Sequence, residues 1–335
     1  MQLSDIDYEL PEIRIAQRPI EPRDAAKLLV DRGSATPEHS VMSRFVELVE
    51  PGDLLVVNDT KVLPARLRLQ RRSGGSAEVL LLEPLNDIRT CWEAMVRPAR
   101  KLKPNEVLEY FGKPMVRVGQ RTEAGDTFEI EILDQAPLER IAKIGTMPLP
   151  PYIRADLSDQ SRYQTVYANR AASAAAPTAG LHFTPELITA LEQKGVHLER
   201  VELVVGLATF KPVTALNPTE HAIHTEQYVV PEGLLQKCAD ARRVIAVGTT
   251  SARALESAAT TGVLSGRTGL FITRGYEWKV VDLLLTNFHM PRTSLLLMVD
   301  ALIGPRWRML YQEALQSDYR FLSFGDAMLL DRHLS

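Results

Sequence analysis

Apolar runs and helical patterns alternate over both ends of the chain. Residues 52–58 (GDLLVVN) and 244–248 (VIAVG) are typical of buried strands that end in polar turns. A helix is predicted from residue 187 to 194, with Thr184 as its N-cap, Pro185 at its first position and Gly195 after its end. Strands that alternate with helices in this way predict a partly parallel sheet covered by helices.

The pattern changes in the middle of the chain. Residues 64–132 contain short alternating or apolar pieces separated by turn signals such as Ser73-Gly74-Gly75, which favours an antiparallel barrel or sandwich. A short helical piece follows near residues 138–144, and the proline-rich run 147–153 (MPLPPYI) then ends any regular element. We therefore expect an α/β main domain built from both chain ends (1–61 and 148–335), with an inserted all-β antiparallel barrel domain at 62–147.

Composition narrows the class of protein. The 335 residues are 45% apolar and 24% charged, with a net charge of −3, which fits a globular protein without a general positive field. The two cysteines, Cys91 and Cys238, are too far apart to indicate a disulfide framework or a cysteine zinc site. No basic, apolar leader begins the sequence, and no apolar run approaches the roughly 18 residues of a membrane span. We expect a cytoplasmic protein with no membrane association.

A local basic patch is the feature most compatible with RNA. Residues 62–103 carry nine Lys and Arg against four Asp and Glu, a local charge of +5. Its cations are Arg66, Arg68, Arg71, Arg72, Arg89, Arg97, Arg100, Lys101 and Lys103. The alternative is an ordinary solvated barrel face, since charged outer faces are common on antiparallel strands.

Three loops are candidates for a ligand site, because ligands of open α/β sheets bind at the carboxyl ends of strands. Residues 248–251 (GTTS) join a strand to a helix and offer hydroxyls and backbone donors. Residues 286–291 (TNFHMP) place amide, aromatic and imidazole groups beyond a strand, and 175–184 (AAPTAGLHFT) combines small residues with His182. Helix capping, a polar turn and a structural histidine are the respective alternatives.

Two further histidines, His221 and His224, stand three residues apart. No third ligand has suitable spacing, and Pro218 and Pro231 indicate a loop, so we favour substrate hydrogen bonding over metal binding. Solvated loop histidines are the alternative. The sequence has neither a GxGxxG after a predicted strand nor a GxxxxGK[ST] run, which disfavours a dinucleotide fold and a P-loop.

Taken together, these segments resemble one family, the S-adenosylmethionine:tRNA ribosyltransferase-isomerases. The resemblance covers nearly the whole chain in order. It rests on 57–66 (VNDTKVLPAR), 73–83 (SGGSAEVLLLE), MPLPPYI, 163–168 (YQTVYA), 175–183 (AAPTAGLHF), 244–257 (VIAVGTTSARALES), 280–299 (VVDLLLTNFHMPRTSLLLMV) and 319–329 (YRFLSFGDAML). Three positions depart from the family pattern. Val204 replaces a histidine, Ala208 a glycine and Asp300 a small residue, which indicates either altered activity or local repacking.

The resemblance implies S-adenosylmethionine as co-substrate and ribosyl donor, with no metal. The implied acceptor is the aminomethyl-deazaguanine (preQ1) at the wobble position of tRNA, and the implied products are epoxyqueuosine-tRNA, adenine and methionine. No obligate protein partner is implied. The chemistry needs a base, since the sulfonium acidifies the adjacent ribose C5′ hydrogens, and a proton donor for the departing adenine.

We assign the site residues by combining the resemblance with the three loops. The expected catalytic residues are His182, His289 and Asp326, and the expected S-adenosylmethionine-binding residues are Thr178, Gly180, Thr249, Thr250 and Arg253. The expected substrate-binding residues are Asn287, Phe288, His221, His224, Arg66, Arg71 and Arg72. Two other functions stay open: transfer of another group, such as a methyl, to RNA, and tRNA binding without catalysis.

Overall fold

The computed structural model describes residues 1–122, 125, 127–206, 213, 215, 217, 218, 221, 223 and 225–334. The chain divides into two compact units. We call the first the α/β unit; it comprises Met1–Thr60, Pro151–Arg170 and Pro177–Ser335. The second, which we call the barrel unit, comprises Lys61–Pro150 and Ala171–Ala176.

The described residues form the following elements. The strands are β1 (Lys27–Val30), β2 (Glu38–Val41), β3 (Leu54–Asn58), β4 (Thr60–Val62), β5 (Arg66–Arg71), β6 (Ser76–Pro84), β7 (Cys91–Arg97), β8 (Val107–Tyr110), β9 (Lys113–Arg121), β10 (Phe128–Ile132), β11 (Arg170–Ser173), β12 (His197–Leu203), β13 (Glu226–Val229), β14 (Val244–Val247), β15 (Ser265–Thr268), β16 (Leu283–Asn287) and β17 (Ala327–Asp331). The helices are α1 (Phe45–Leu48), α2 (Pro137–Ile144), α3 (Pro185–Gln193), α4 (Leu234–Asp240), α5 (Gly248–Thr261), α6 (Ser294–Ile303) and α7 (Arg306–Gln316). Short 3₁₀ helices include Thr178–His182.

The α/β unit is built on a nine-stranded mixed sheet in the order β15-β13-β12-β3-β14-β16-β17-β1-β2. The central strands β12, β3, β14 and β16 run parallel, whereas β17 pairs antiparallel with β16. Every residue of β3, β14 and β16 is buried, as expected of strands covered on both faces. The predicted partly parallel α/β sheet is therefore confirmed.

Local signals placed several elements correctly. The Thr184 hydroxyl accepts the backbone N–H of Leu187 at 3.1 Å and so caps α3, as the sequence predicts. The long apolar run 279–289 (KVVDLLLTNFH) also predicts a strand, but β16 begins only at Leu283, because the Glu256 carboxylate accepts the N–H groups of Lys279, Val280 and Val281 at 2.8–2.9 Å. These donors bond a side chain instead of a neighbouring strand.

The barrel unit contains a closed six-stranded antiparallel barrel in the order β10-β7-β6-β5-β8-β9, which confirms the predicted all-β fold of this segment. Alternate residues of β7 are buried, consistent with one face turned to the barrel interior. The segment Ala171–Ala176 clusters with this unit, although the sequence assigned it to the α/β domain. Leu63 donates its N–H to the carbonyl of Ser173 at 3.0 Å, a pairing that sequence spacing does not reveal.

None of the helices formed by the described residues is both long enough and apolar enough to cross a membrane.

Candidate active site

The parallel strands β3, β14 and β16 end at the same edge of the sheet. Asp59 follows β3, Gly248 follows β14 and Phe288 follows β16. The 3₁₀ segment Thr178–His182 lies against this edge, since a Cβ atom on Gly248 would be 3.5 Å from the Cβ of Ala179. Residues of all three predicted ligand loops, 175–184, 248–251 and 286–291, therefore lie at this edge of the sheet.

Asn287 joins the 3₁₀ segment to the end of β16. Its Nδ2 donates to the Nε2 of His182 at 3.2 Å and to the carbonyl of Leu322 at 3.2 Å. Its Oδ1 accepts the hydroxyl of Thr178 at 3.1 Å. With the amide assigned in this way, His182 accepts at Nε2 and carries its proton at Nδ1. Asn287 therefore orients the imidazole, and its amide is occupied by protein groups rather than presented to a base.

The environment of His182 favours the neutral imidazole. Burial lowers the pKa of His182 to about 4, and the positive charges of Arg320 and Arg23 act in the same direction. The residue is 4% exposed. Near neutral pH His182 is thus an uncharged group with one proton available at Nδ1.

Two hydroxyls that the sequence analysis missed lie beside Gly180. A Cβ atom on Gly180 would be 2.0 Å from the hydroxyl of Tyr167 and 2.8 Å from Cγ2 of Thr165, so only glycine fits there. The Tyr167 and Thr165 hydroxyls are buried and have no hydrogen-bond partner within the described part of the chain. Buried polar groups without partners are rare and often mark positions where a ligand or water binds. Both residues belong to YQTVYA, one of the segments that carry the family resemblance, which was the available signal.

Asp59 is a second residue that the sequence analysis did not select. Burial raises the pKa of its carboxyl above the usual value. The charges of Arg200 and Arg170 and a hydrogen bond from Asn169 lower this pKa, but by less. Burial is the main reason that the pKa of Tyr167 is raised, and the negative charge of Asp59 raises it further. A carboxyl that follows the central strand, with a raised pKa, is a candidate base. Its position directly after a predicted buried strand could have identified it.

The loop at the start of α5 forms another part of the region. Thr249 and Thr250 line a cleft in the α/β unit together with Arg253. The Thr250 hydroxyl is buried and has no hydrogen-bond partner among the described residues, as expected of a group that contacts a ligand. Arg253, by contrast, donates to the Glu226 carboxylate at 2.5 Å and to the carbonyl of Thr268 at 3.1 Å. Its charge is paired within the protein, which argues against direct capture of a donor carboxylate by Arg253.

His289 and Phe288 lie in an aromatic cluster. The Phe288 ring is fully buried and packs on Tyr311, Tyr319 and Phe321 with centroids 4.7–5.7 Å apart. Its ring therefore has no free face on which a base could stack in this conformation. His289 is 8% exposed and burial lowers its pKa to about 3. Its Nε2 is 3.0 Å from the hydroxyl of Thr286, whereas the Nε2 of His182 contacts Asn287. The two imidazoles therefore have different hydrogen-bond partners.

The expected catalytic carboxylate, Asp326, is engaged by backbone groups. Its Oδ1 accepts the N–H of Lys27 at 3.0 Å, and its Oδ2 accepts the N–H of Arg320 at 2.7 Å. It is 2% exposed. These contacts give Asp326 a role in fixing the loop that precedes β17, and they occupy the oxygens that proton transfer would need.

Of the two neighbouring histidines predicted to bind substrate, His221 lies in a loop. The backbone N–H of His221 donates to the carbonyl of Pro218 at 3.2 Å, and its ring centroid is 6.4 Å from that of Phe271. His224 lies outside the described residues. Within the described part of the chain, no group of three or more His, Cys, Asp or Glu side chains is arranged to hold a metal ion.

The predicted RNA-binding arginines are paired with glutamates on the barrel surface. Arg71 binds Glu106 at 2.6 Å, Arg72 binds Glu109 at 3.0 Å, and Arg66 is 3.9 Å from Glu78. Salt bridges of this kind reduce the charge that these three side chains present to a polyanion. The patch nevertheless keeps Arg100, Lys101 and Lys103, which are exposed and form no ion pair with the described residues.

The departures from the family pattern have different local explanations. Asp300 is 1% exposed, and its carboxylate accepts Arg274 at 2.7 Å and the indole N–H of Trp307 at 3.1 Å. This pairing favours local repacking for that position. Val204 is buried after the end of β12, and Ala208 lies outside the described residues.

Comparison with known proteins places these features in context. The sequence profile of the family described as "Queuosine biosynthesis protein" matches residues 3–330. The chain is 46% identical to the S-adenosylmethionine:tRNA ribosyltransferase-isomerase of Desulforamulus reducens, over 98% of this chain and 100% of that protein. It is 47% identical to the protein of the same name from Symbiobacterium thermophilum, with the same coverage. The crystal structure of S-adenosylmethionine tRNA ribosyltransferase from Thermotoga maritima is similar, with 38% identity, a TM-score of 0.55 and coverage of 97% of this chain and 99% of that one.

Proposed function

Since the chain belongs to the family of queuosine biosynthesis proteins, we propose that it is an S-adenosylmethionine:tRNA ribosyltransferase-isomerase that acts on tRNA in the cytoplasm. We propose further that the acceptor is preQ1 at the wobble position and that the products are epoxyqueuosine-tRNA, adenine and methionine. The observation that carries the proposal is full-length similarity to relatives of that name together with unpartnered buried hydroxyls at the carboxyl edge of the sheet.

The donor is proposed to bind along the 3₁₀ segment and the start of α5. Thr178, Gly180, Thr249 and Thr250 lie on these two elements, and small residues allow close approach of a ligand to the backbone. The hydroxyls of Thr250, Tyr167 and Thr165 fit a nucleoside, because hydroxyls can both donate to and accept from ribose oxygens. Arg253 contributes by holding Glu226 in the cleft rather than by direct contact.

The acid and base roles follow from the protonation states. A base must remove a C5′ proton next to the sulfonium, and the resulting carbanion electrons drive the rearrangement that expels adenine. Asp59 suits this role, because a carboxyl with a raised pKa is a stronger base than an ordinary one. His182 suits hydrogen-bond donation to the departing adenine, because its neutral ring keeps a proton at Nδ1 while Asn287 occupies Nε2, and water supplies the proton that adenine takes up. Arg66, Arg71 and Arg72 remain candidates for backbone contact with tRNA, and His221 and His224 for the base.

The direct test is product analysis. The protein is incubated with S-adenosylmethionine and with tRNA that carries preQ1, and the nucleosides and small molecules are analysed by mass spectrometry. Epoxyqueuosine with equimolar adenine and methionine is expected, and activity should persist in a chelator because no metal takes part. Methylated RNA with S-adenosylhomocysteine would establish a methyltransferase instead. Binding of tRNA without any product would indicate a protein that has lost catalysis.

A further inference from the structure

A small pocket next to His182 has a strongly basic lining. It lies within the α/β unit and is lined by Arg23, Arg162, His182 and Ser323, with Ile20 and Phe324 as apolar walls. No acidic side chain of the described residues belongs to the lining. The mechanism proposed above uses His182 but gives no task to either arginine.

Arg23 carries a charge without a carboxylate partner. Its guanidinium donates to the carbonyls of Gln164 at 2.7 Å, Ser161 at 3.1 Å and Leu181 at 3.4 Å, and it forms no ion pair with the described residues. Burial lowers the pKa of Arg23 and the neighbouring charge of Arg162 lowers it further, whereas the carboxylates of Glu21 and Asp159 raise it by less, so the net shift is downward. Carbonyl oxygens hold the side chain in place but do not neutralise it.

Positive charges are thus clustered here at an energetic cost. Arg162 pairs with Glu21 at 2.7 Å, but that glutamate is 70% exposed and is therefore well screened by water. Arg23 and Arg320 both depress the pKa of His182. A protein that keeps like charges together near a pocket gains most when an anion binds there.

We propose that this pocket binds a phosphodiester group of the tRNA substrate, next to the site of the reaction. The inference rests on the proposed function. Guanidinium groups match the geometry of phosphate oxygens, and the pocket supplies two of them. The methionine carboxylate of the donor is the other anion available to this protein. It fits less well, because it comes with an ammonium group for which the lining has no acidic partner.

Two single substitutions with opposite effects test the proposal in the full-length protein. Arg162→Gln removes one pocket charge, and Glu21→Gln removes the carboxylate that partly neutralises it. The matched controls are Arg44→Gln and Glu47→Gln, which break an exposed ion pair elsewhere in the same unit and change the net charge identically. Binding of an unmodified tRNA transcript and of S-adenosylmethionine is measured separately, at several salt concentrations.

Arg162→Gln should weaken tRNA binding about fivefold to tenfold and reduce the log-log salt slope by about 0.7–0.9, the value for one phosphate contact. Glu21→Gln should tighten tRNA binding and steepen the slope. The controls should change neither by more than about twofold, and donor affinity should stay constant throughout. If Arg162→Gln weakens donor binding alone, the pocket holds the carboxylate and the proposal is wrong.

Two further outcomes also show whether the pocket binds an anion. If both substitutions behave like their controls, no anion binds in the pocket. If Arg162→Gln fails to fold, Glu21→Gln decides alone, because its exposed side chain can be replaced without disturbing the core. Since these are binding measurements, they stand apart from turnover. Wild-type protein that binds tRNA but releases no adenine would contradict the proposed function without touching this inference.

Discussion

Tyr167 is the side chain whose environment is hardest to explain by folding alone. It is 8% exposed, its ring packs on Phe183, and none of the described residues forms a hydrogen bond with its hydroxyl. A buried hydroxyl without a partner costs about 1–3 kcal/mol, so a protein without a use for it would be more stable with phenylalanine. The hydroxyl therefore indicates a functional contact in the proposed donor site.

We expect Tyr167→Phe to keep or raise stability while lowering activity. The free energy of unfolding should rise by up to about 1 kcal/mol, because no protein hydrogen bond is lost. The value of kcat/KM for adenine release should fall about tenfold or more, the loss expected for one hydrogen bond to the substrate. Urea unfolding and steady-state kinetics measure the two effects.

Tyr228→Phe is the matched control. Tyr228 is also buried, but its hydroxyl donates to the carbonyl of Val263 at 2.7 Å. This variant should lose about 1 kcal/mol of stability and keep its kcat/KM. A Tyr167→Phe enzyme with wild-type kinetics would show that the hydroxyl does not take part in the reaction.

The buried histidines make stability depend on pH. The folded-state pKa values of about 4 for His182 and about 3 for His289 lie below the unfolded value of about 6.5. As pH falls below 6.5, the unfolded chain binds protons that the folded protein does not, so stability falls until the folded pKa is reached. Each histidine should contribute about 1.4 kcal/mol per pH unit in this range.

His289→Gln isolates one of these contributions. Urea unfolding between pH 6 and pH 4.5 should show a slope of free energy against pH that is smaller than in the wild type by about 1.4 kcal/mol per pH unit. Around pH 8 and above, the difference in free energy of unfolding between the two proteins should not change with pH. Parallel curves over the acidic range would mean that His289 titrates normally in the folded state.

At the scale of elements, the 3₁₀ segment Thr178–His182 is fixed by close packing. Gly180→Ala would place a Cβ atom 2.0 Å from the Tyr167 hydroxyl and 2.8 Å from Cγ2 of Thr165. We expect a loss of about 1–3 kcal/mol in the free energy of unfolding, typical of overpacking. In the double variant with Tyr167→Phe the shorter contact is relieved, and a double-mutant cycle should give a coupling of about 1 kcal/mol.

Gly206→Ala serves as the control for this cycle. A Cβ atom at Gly206 would meet none of the described residues within 4 Å, so the substitution should change stability by less than about 0.5 kcal/mol. It should also be additive with Tyr167→Phe. Additivity of Gly180→Ala with Tyr167→Phe would instead mean that the segment moves away from the tyrosine at little cost.

Elements were predictable where the signal is local. The apolar runs of β3 and β14 and the Thr184 cap of α3 follow from neighbouring residues in the sequence. The late start of β16, at Leu283 rather than near residue 279, was not predictable, because it depends on Glu256, more than twenty residues earlier in the sequence. The same limit applies to the site. His182 was selected from its loop, whereas the pairing of Arg253 with Glu226 depends on a distant partner.

At the scale of the whole molecule, charge is divided unevenly along the sequence. Residues 61–150 carry 15 Lys and Arg against 12 Asp and Glu, a net charge of +3. The remaining residues carry 24 against 30, a net charge of −6. A polyanion approaching the protein is therefore attracted by the barrel unit and by local sites such as the pocket at Arg23, and repelled by much of the rest.

Within the barrel unit the unpaired cations should contribute most to tRNA binding. Replacing Arg100 and Lys103 together with Ala should weaken tRNA binding and reduce the log-log salt slope by about 1.4–1.8, as expected for two phosphate contacts. Replacing Arg71 and Arg72 together should have a smaller effect, because Glu106 and Glu109 already engage these arginines and leave them less available for phosphate contacts. Donor affinity should be unchanged in both variants. Equal effects of the two double substitutions would mean that the salt bridges of Arg71 and Arg72 open when tRNA binds, and a wild-type slope in both would exclude this face of the barrel as a tRNA-binding surface.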